Sequence, residues 1–312
     1  MTVWFSFPDF FLSFAALLLE GIPFLLLGAL ASLAVELFLP ASWLRALLRL
    51  GPRAGIAVGC AAGFVFPLCE CGALPVVLRL VRKGVPLRTA AAYLFAAPLA
   101  NPFSIASTWL AFRTQEPWKI VLLRLGMGLL LVLILVLWIG RQKSGEVLRP
   151  GLGEEPEAPE TPPLPESEPL AAWQRRLRAA LGPAIDDFLS VALYLVLGAA
   201  VASFLNTSVN REWLAALAGN RWLAPVATVG LAQLLSVCST TDAFLAAALP
   251  QFPLPALIAF LVAGPLFDLK LLWVYQALFT RRVVFGIWLR VTAGAIALGW
   301  LYSLYSSLWP RS

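Results

Sequence analysis

The residues best suited to chemistry lie in one short stretch, Phe66-Pro67-Leu68-Cys69-Glu70-Cys71-Gly72-Ala73-Leu74-Pro75. It combines two thiols, a carboxylate, a glycine and two prolines, and such a mixture predicts a break in a helix. The flanking residues 54–68 and 73–81 are as apolar as membrane helices. Irregular backbone at membrane depth is tolerated only inside protein or beside a wet cavity, and an ionisable residue there indicates a functional site. We therefore predict a broken helix at a binding site.

A second polar break, Val237-Cys238-Ser239-Thr240-Thr241-Asp242, interrupts the later part of the chain. Two proline-containing breaks follow the same logic, at 98–102 and at 264–268. If all four breaks meet near the middle of a bilayer, half-helices that begin near Gly72 and Asp242 would add their positive ends to the site. The predicted substrate-binding residues are Cys69, Glu70, Cys71, Asn101, Cys238, Ser239, Thr240, Asp242 and Asp268.

The thiols indicate what this site would bind. The chain has no histidine, so soft or borderline species such as monovalent copper, zinc or trivalent arsenic would rely on thiolates and carboxylates. Cys69, Cys71 and Cys238 are the predicted metal ligands. Cys60 lies among small residues in a helical run, and we expect it to be a packing residue.

Acidic residues inside apolar runs need a partner or a role, because a charge at mid-bilayer costs at least about 2.5 kcal/mol. Glu20, Glu70, Asp242 and Asp268 are therefore candidates for proton coupling. Two structural interpretations stay open: Glu20 could satisfy backbone freed by a nearby proline, and Lys270 could be the counter-ion of Asp268.

Composition indicates an all-α polytopic membrane protein. The 312 residues are 60% hydrophobic, with a mean hydropathy of +0.84, and several apolar runs are long enough to cross a bilayer. The net charge of +6 comes mostly from basic residues in short loops, which is typical of orientation by the positive-inside rule rather than of nucleic-acid binding. The lipid bilayer is therefore the expected partner, and we expect neither a nucleic-acid partner nor a cofactor.

An internal repeat organises the chain. At a constant offset of 167 positions, breakers and polar residues of the first half recur in the second, as in Cys71 and Cys238, Pro98 and Pro265, and Asn101 and Asp268. The predicted halves are residues 1–143 and 171–312. Between them, residues 144–170 contain seven Glu and seven Pro and predict a disordered linker without a site.

The distribution of basic loops favours one topology for the two halves. Each half would have three full spans and one re-entrant broken-helix hairpin, and the odd number of spans would make the halves inverted repeats. Eight full spans are the alternative, but they would divide the basic residues almost evenly between the two sides.

Six motifs carry a resemblance to a known family: Phe66-Pro67-Leu68-Cys69-Glu70-Cys71-Gly72, Arg82-Lys83-Gly84-Val85-Pro86, Ala97-Pro98-Leu99-Ala100-Asn101-Pro102, Val237-Cys238-Ser239, Asp242-Ala243-Phe244 and Gly264-Pro265-Leu266-Phe267-Asp268-Leu269-Lys270. Together they resemble the predicted bacterial permease family that includes organoarsenical efflux permeases and YraQ-like proteins. The resemblance covers nearly the whole chain outside the linker. It implies an inner-membrane permease, and it allows a complex with a second small membrane subunit. The organoarsenical branch has serine where this chain has Glu70, and this departure favours a cationic metal.

These observations predict a multi-pass permease of the bacterial inner membrane, and not an enzyme. Its function would be secondary-active efflux of a thiophilic metal ion or metalloid (copper, zinc or a trivalent arsenical) through a midplane site of thiols and acids. Two alternatives remain: a membrane thiol-disulfide oxidoreductase that uses Cys69 and Cys71, or a non-transporting subunit of a two-component complex. No Gly-x4-Gly-Lys-Ser/Thr phosphate loop occurs in the chain, so nucleotide would require a partner subunit.

Overall fold

A computed structural model describes residues 7–38, 51–66, 68–142, 144–150, 169–208 and 219–308 of the chain. The first half contains α1 (Phe7–Phe38), α2 (Pro52–Val65), α3 (Glu70–Arg82), α4 (Leu87–Ala100), α5 (Pro102–Ala111) and α6 (Pro117–Ile139). After the short α7 (Ser144–Val147), the second half contains α8 (Pro169–Ser208), α9 (Leu223–Leu235), α10 (Asp242–Ala247), α11 (Leu254–Leu266), α12 (Leu269–Val274) and α13 (Arg281–Leu308). Within these ranges the only β-type pairing is an isolated bridge, so the all-α prediction is confirmed.

Membrane-spanning segments are evident in the described part of the chain. Five of its helical segments are long and apolar enough to cross a bilayer: Phe7–Leu37, Pro117–Ile139, Ala180–Leu205, Leu254–Ala277 and Arg281–Leu308. Large apolar side chains on four of them, such as Leu12, Leu122, Leu193 and Leu301, are mostly exposed. Apolar side chains can remain outside the packed interior when lipid surrounds them. The chain is a polytopic membrane protein.

Six helices, α1 to α6, precede α7, and six, α8 to α13, follow it among the described residues. Polar residues at two of the proline-containing breaks have similar contacts. Asn101 ends α4 and accepts a hydrogen bond from the Phe103 N–H at 2.9 Å, whereas Asp268 follows α11 and accepts one from the Leu271 N–H at 2.6 Å. Each side chain therefore caps the helix after the break. Duplication, its inverted orientation and the re-entrant hairpins stay predictions.

The first residues of the proposed linker are structured. The Val147 side chain is buried, and Leu148 forms an antiparallel bridge with Phe279. The Val147 carbonyl accepts a hydrogen bond from the Thr280 N–H at 2.9 Å. These apolar residues explain why 144–150 are held, although the composition of 144–170 as a whole predicted disorder. Residues 151–168 lie outside the described residues, and α8 begins at Pro169.

Glycines set the close approach of the helices that carry the polar breaks. Helices α1 and α8 pack along each other, α3 packs on α1 and α12 packs on α8. A Cβ at Gly28 would overlap the Gly72 carbonyl, and one at Gly198 would lie 2.8 Å from the Lys270 carbonyl oxygen. Both contacts therefore require the absence of a side chain, and they bring α3 against α1 and α12 against α8.

Candidate functional site

The first polar break presents three buried side chains at the start of α3. Cys69 has extended backbone and caps the helix, since the Gly72 N–H donates to its Sγ at 3.4 Å. Glu70 and Cys71 occupy the first turn and are almost fully buried. Pro75 has no N–H to donate to the Cys71 carbonyl, which weakens the helix at this end. The first turn of α3 thus combines a positive helix end with two thiols and a carboxylate.

Lys270 lies between acids from the two halves of the chain. Its Nζ is 3.6 Å from Glu70 Oε1 and 3.7 Å from Asp268 Oδ2, and it donates to the Ser236 carbonyl at 3.4 Å. All three charged side chains are buried. The interpretation of Lys270 as a counter-ion of Asp268 agrees with this geometry, but the lysine also pairs with Glu70. Within the described residues, Glu70 Oε2 and Asp268 Oδ2 have no hydrogen-bond partner.

The second polar break, residues 237–242, lies beside Glu20 and Lys270. Cys238 Sγ is 2.8 Å from Thr240 Oγ1, and the Thr241 hydroxyl donates to Glu20 Oε1 at 3.2 Å. Ser236, immediately before this break, accepts a hydrogen bond from the Lys270 ammonium through its carbonyl at 3.4 Å. Residues of α1, the start of α3, the 236–242 segment and the start of α12 therefore surround one polar region.

A buried arginine on α6 holds the second break in place. Arg124 donates to both carboxylate oxygens of Asp242, at 3.0 and 2.9 Å, and to the Ser239 carbonyl at 3.0 Å. It also donates to the Thr108 hydroxyl at 2.7 Å, and the Ser104 hydroxyl donates to the Ser239 carbonyl at 2.8 Å. Asp242 is therefore occupied by a fixed counter-ion, unlike Glu70.

Arg124 is absent from the sequence-based list of site residues. The sequence does contain a signal for it, because one arginine interrupts the Leu/Val-rich run of 118–140. A charge inside a predicted span indicates a buried partner or a function. Ser236 was also missed, since nothing in its local sequence shows that its carbonyl meets Lys270.

The remaining predicted residues are Asn101 and the cysteines. Asn101 is buried, and its side-chain oxygen caps α5, which packs against α10 and binds the segment before it through the Ser104 contact with Ser239. In the part of the chain that the structure describes, no three Cys, Asp or Glu side chains are grouped so that they could hold one metal ion. Cys69, Cys71 and Cys238 thus border one polar region without forming a common ligand set. Cys60 lies in α2, half-buried.

A small cavity reaches the same region from the side of α8, α9 and α13. Its volume is about 190 Å³, and Asp268, Gln233 and Trp288 contribute to its lining. The Trp288 indole N–H donates to Gln233 Oε1 at 3.2 Å. This volume has room for water next to Asp268.

Comparison with known proteins identifies the family of this chain. Residues 6–304 match the model of the ArsP_1 family, described as "Predicted permease". The chain belongs to this permease family. It is similar to UPF0718 protein YcgR of Bacillus subtilis (strain 168), with 34% identity over 287 residues that cover 91% of this chain and 94% of that protein. No solved structure matches the chain.

A second relative of the permease comes from Streptococcus mutans serotype c. The two chains are 30% identical over 272 residues, 87% of each, and that protein is named "Putative two-component membrane permease complex subunit". Family and fold together establish a multi-pass membrane permease, in agreement with the sequence-based expectation. The inner membrane fits a bacterial permease.

Proposed function

We propose that this permease expels a thiophilic metal ion or metalloid by secondary-active transport. The supporting observation is that Glu70 of the first thiol-bearing break and Ser236, immediately before the second, both contact the buried ammonium of Lys270. Paired helix breaks near the midplane are typical of transporter binding sites. The predicted cargo class is unchanged: copper, zinc or a trivalent arsenical.

The thiols and acids have separate proposed roles. Cys69 and Cys71 bind the cargo together with the Glu70 carboxylate after the start of α3 rearranges, because among the described residues no three such side chains are grouped for one metal ion. Cys238 supplies a third thiol once the start of α3 moves towards the 236–242 segment, which Arg124 holds in place, since the three thiols do not form one ligand set here.

Proton exchange is proposed to involve Glu70, Asp268 and Glu20. Among the described residues Glu70 Oε2 has no hydrogen-bond partner and Asp268 Oδ2 has only its long ion-pair contact with Lys270, while Glu20 is half-buried at the edge of the region. Asp242 was also a candidate for coupling. Its pairing with Arg124 through both oxygens supports a structural role instead.

A second membrane subunit is part of the proposal. The name of the Streptococcus mutans relative describes a subunit of a two-component complex. The exposed apolar faces of the outer helices leave surface in the membrane for such a partner.

The proposed function can be tested in everted membrane vesicles. Variants Cys69→Ser, Cys71→Ser and Cys238→Ser are compared with Cys60→Ser as the matched control, with copper(I), zinc, arsenite and a methylated trivalent arsenical as cargo. We expect energised uptake of at least one cargo to fall about tenfold or more in the first two variants, since a hydroxyl is a poor ligand for soft ions. Cys60→Ser should transport like the unmodified protein.

Two results would overturn this proposal. Unchanged uptake in Cys69→Ser and Cys71→Ser would remove the thiols from transport. Loss of periplasmic disulfide formation in the same variants, with transport intact, would instead support the thiol-disulfide oxidoreductase.

A further inference from the structure

Lys270 is the charged group that the proposed transport cycle leaves without a role. It is 4% exposed, and it follows Asp268 at the start of α12. Its ammonium bridges Glu70 of the first half and Asp268 of the second. A buried lysine at the meeting point of two thiol-bearing breaks would oppose the binding of any cation there.

The contacts of Lys270 are long for buried ion pairs. Charge-assisted N–H···O bonds usually measure about 2.7–2.9 Å, whereas the Lys270 ammonium is 3.6 and 3.7 Å from its two carboxylate partners. Glu70 Oε2 and Asp268 Oδ2, both buried, lack hydrogen-bond partners in the described part of the chain. Buried carboxylate oxygens are costly without donors. The two acids therefore retain acceptor capacity that points to a further ligand.

We propose that Lys270 is a resident cation of the binding site, which occupies the place between Glu70 and Asp268 that a cationic cargo takes. This inference rests on the proposed function. Cargo binding displaces the ammonium from the two carboxylates, and cargo release allows it to return. The Ser236 carbonyl, which already accepts from Nζ at 3.4 Å, remains as a partner for the displaced ammonium.

The positive charge of Lys270 offsets buried negative charge when no cargo is bound. Without Lys270, Glu70 and Asp268 would face each other as two buried negative charges whenever the site is empty, and such a state is strongly unfavourable in a membrane. With Lys270 present, its ammonium cancels one of these two negative charges in the empty site. The lysine thus weakens cargo binding and permits the unloaded protein to change conformation.

Zinc binding to the purified full-length protein tests this role. Titration calorimetry with Zn²⁺ compares the unmodified protein with Lys270→Met, Lys270→Arg and the surface control Lys119→Met. We expect Lys270→Met to bind Zn²⁺ about tenfold more tightly or better, because a nearby competing charge is removed. Lys119→Met alters a charge pair that lies at the surface with Glu116, so it should bind Zn²⁺ almost as the unmodified protein does. Lys270→Arg keeps the competing charge, so it should bind Zn²⁺ no more tightly than the unmodified protein.

Arsenite provides a probe without charge, since arsenous acid is neutral near pH 7. Its affinity should change less than about twofold in Lys270→Met, as charge competition acts only on cations. In vesicles, Lys270→Met should lower both the KM and the maximal rate of zinc transport. A merely structural lysine would instead change both probes alike.

A second pair of variants keeps the test decisive if Lys270→Met does not fold. Asp268→Asn and Asp268→Asn/Lys270→Gln are compared, and the double variant keeps the net charge of the site unchanged. Asn can cap α12 in the way that Asn101 caps α5. The double variant should bind Zn²⁺ about tenfold more tightly than Asp268→Asn alone.

Equal Zn²⁺ affinities in either comparison, or no Zn²⁺ binding by any variant, would overturn the role of Lys270. Failure of the proposed function has a different signature, namely that the unmodified protein moves no thiophilic cargo in everted vesicles. If vesicles transport zinc or an arsenical while Lys270→Met leaves Zn²⁺ affinity unchanged, only the inference about Lys270 fails.

Discussion

At the scale of single residues, the buried charges of the permease differ in how firmly they are paired. Asp242 accepts two hydrogen bonds from Arg124, at 3.0 and 2.9 Å, and Arg124 is also bound to Thr108 and Ser239. Lys270 makes only long contacts with its two acids. The first arrangement is suited to holding a segment in place, and the second to exchange with a ligand.

Arg124→Met should therefore destabilise the protein strongly. Removal of one partner of a buried ion pair leaves an uncompensated charge and costs about 3–5 kcal/mol. We expect a large decrease in the thermal unfolding temperature of the purified protein, with loss of transport. The double variant Arg124→Met/Asp242→Leu should recover part of the stability, because no charge is then left unpaired.

The control for this prediction is Glu116→Gln, which breaks the Lys119–Glu116 pair at the surface. An exposed pair contributes about 0–1 kcal/mol, so its unfolding temperature should hardly change. Equal stability of Arg124→Met and Glu116→Gln would contradict the assignment of Arg124 as the anchor of the second break.

At the scale of elements, α3 is held at both ends. Its first turn carries the site, whereas its last turn lies in a network of charges with α1 and α8. Glu36 pairs with Arg79 and Lys83, at 3.6 and 3.2 Å, and Asp187 pairs with Arg79 and Arg82, at 3.7 and 2.5 Å. Contacts at the far end of the helix therefore help to set the position of Cys69 and Glu70.

The variant Gly28→Ala tests whether the close approach of α1 and α3 is required for transport. The added methyl group would overlap the Gly72 carbonyl, and overpacking of this kind costs about 1–3 kcal/mol. Because Gly72 is in the first turn of α3, we expect a fall in transport as well as in stability, measured in vesicles and by thermal unfolding.

Gly126→Ala is the matched control, since a Cβ at Gly126 in α6 meets nothing within 4 Å. Alanine should be tolerated there, and it should stabilise the helix by up to about 1 kcal/mol. If both substitutions were harmless, the close approach of α1 and α3 would not determine the geometry of the site.

At the scale of the whole molecule, each half of the permease completes the other. Glu70 and Cys71 come from the first half, and Lys270 and Asp268 from the second. Conversely, Arg124 and Ser104 of the first half bind the 238–242 segment of the second half. The polar region around Lys270 is therefore built from residues before and after the 151–168 segment.

The linker offers a test at this scale. Replacement of residues 151–168 by a Gly/Ser segment of equal length should preserve transport and stability, because the acidic, proline-rich composition assigns no site to it. Val147→Asp should prevent folding, since it would bury a charge beside the 278–280 segment. Loss of transport in the Gly/Ser variant, with normal expression, would show that the linker has a function of its own.

Local sequence was sufficient to predict the helical membrane architecture, helix interruptions within 66–75, 98–102, 237–242 and 264–268, and the thiols and acids that these stretches carry. Apolar run length, proline and glycine act over a few residues, so their effects can be derived without a fold. The pairing of Arg124 with Asp242 and the position of Lys270 between Glu70 and Asp268 could not be derived in that way. These contacts join residues far apart in the chain, and they depend on how the packed helices approach one another in space.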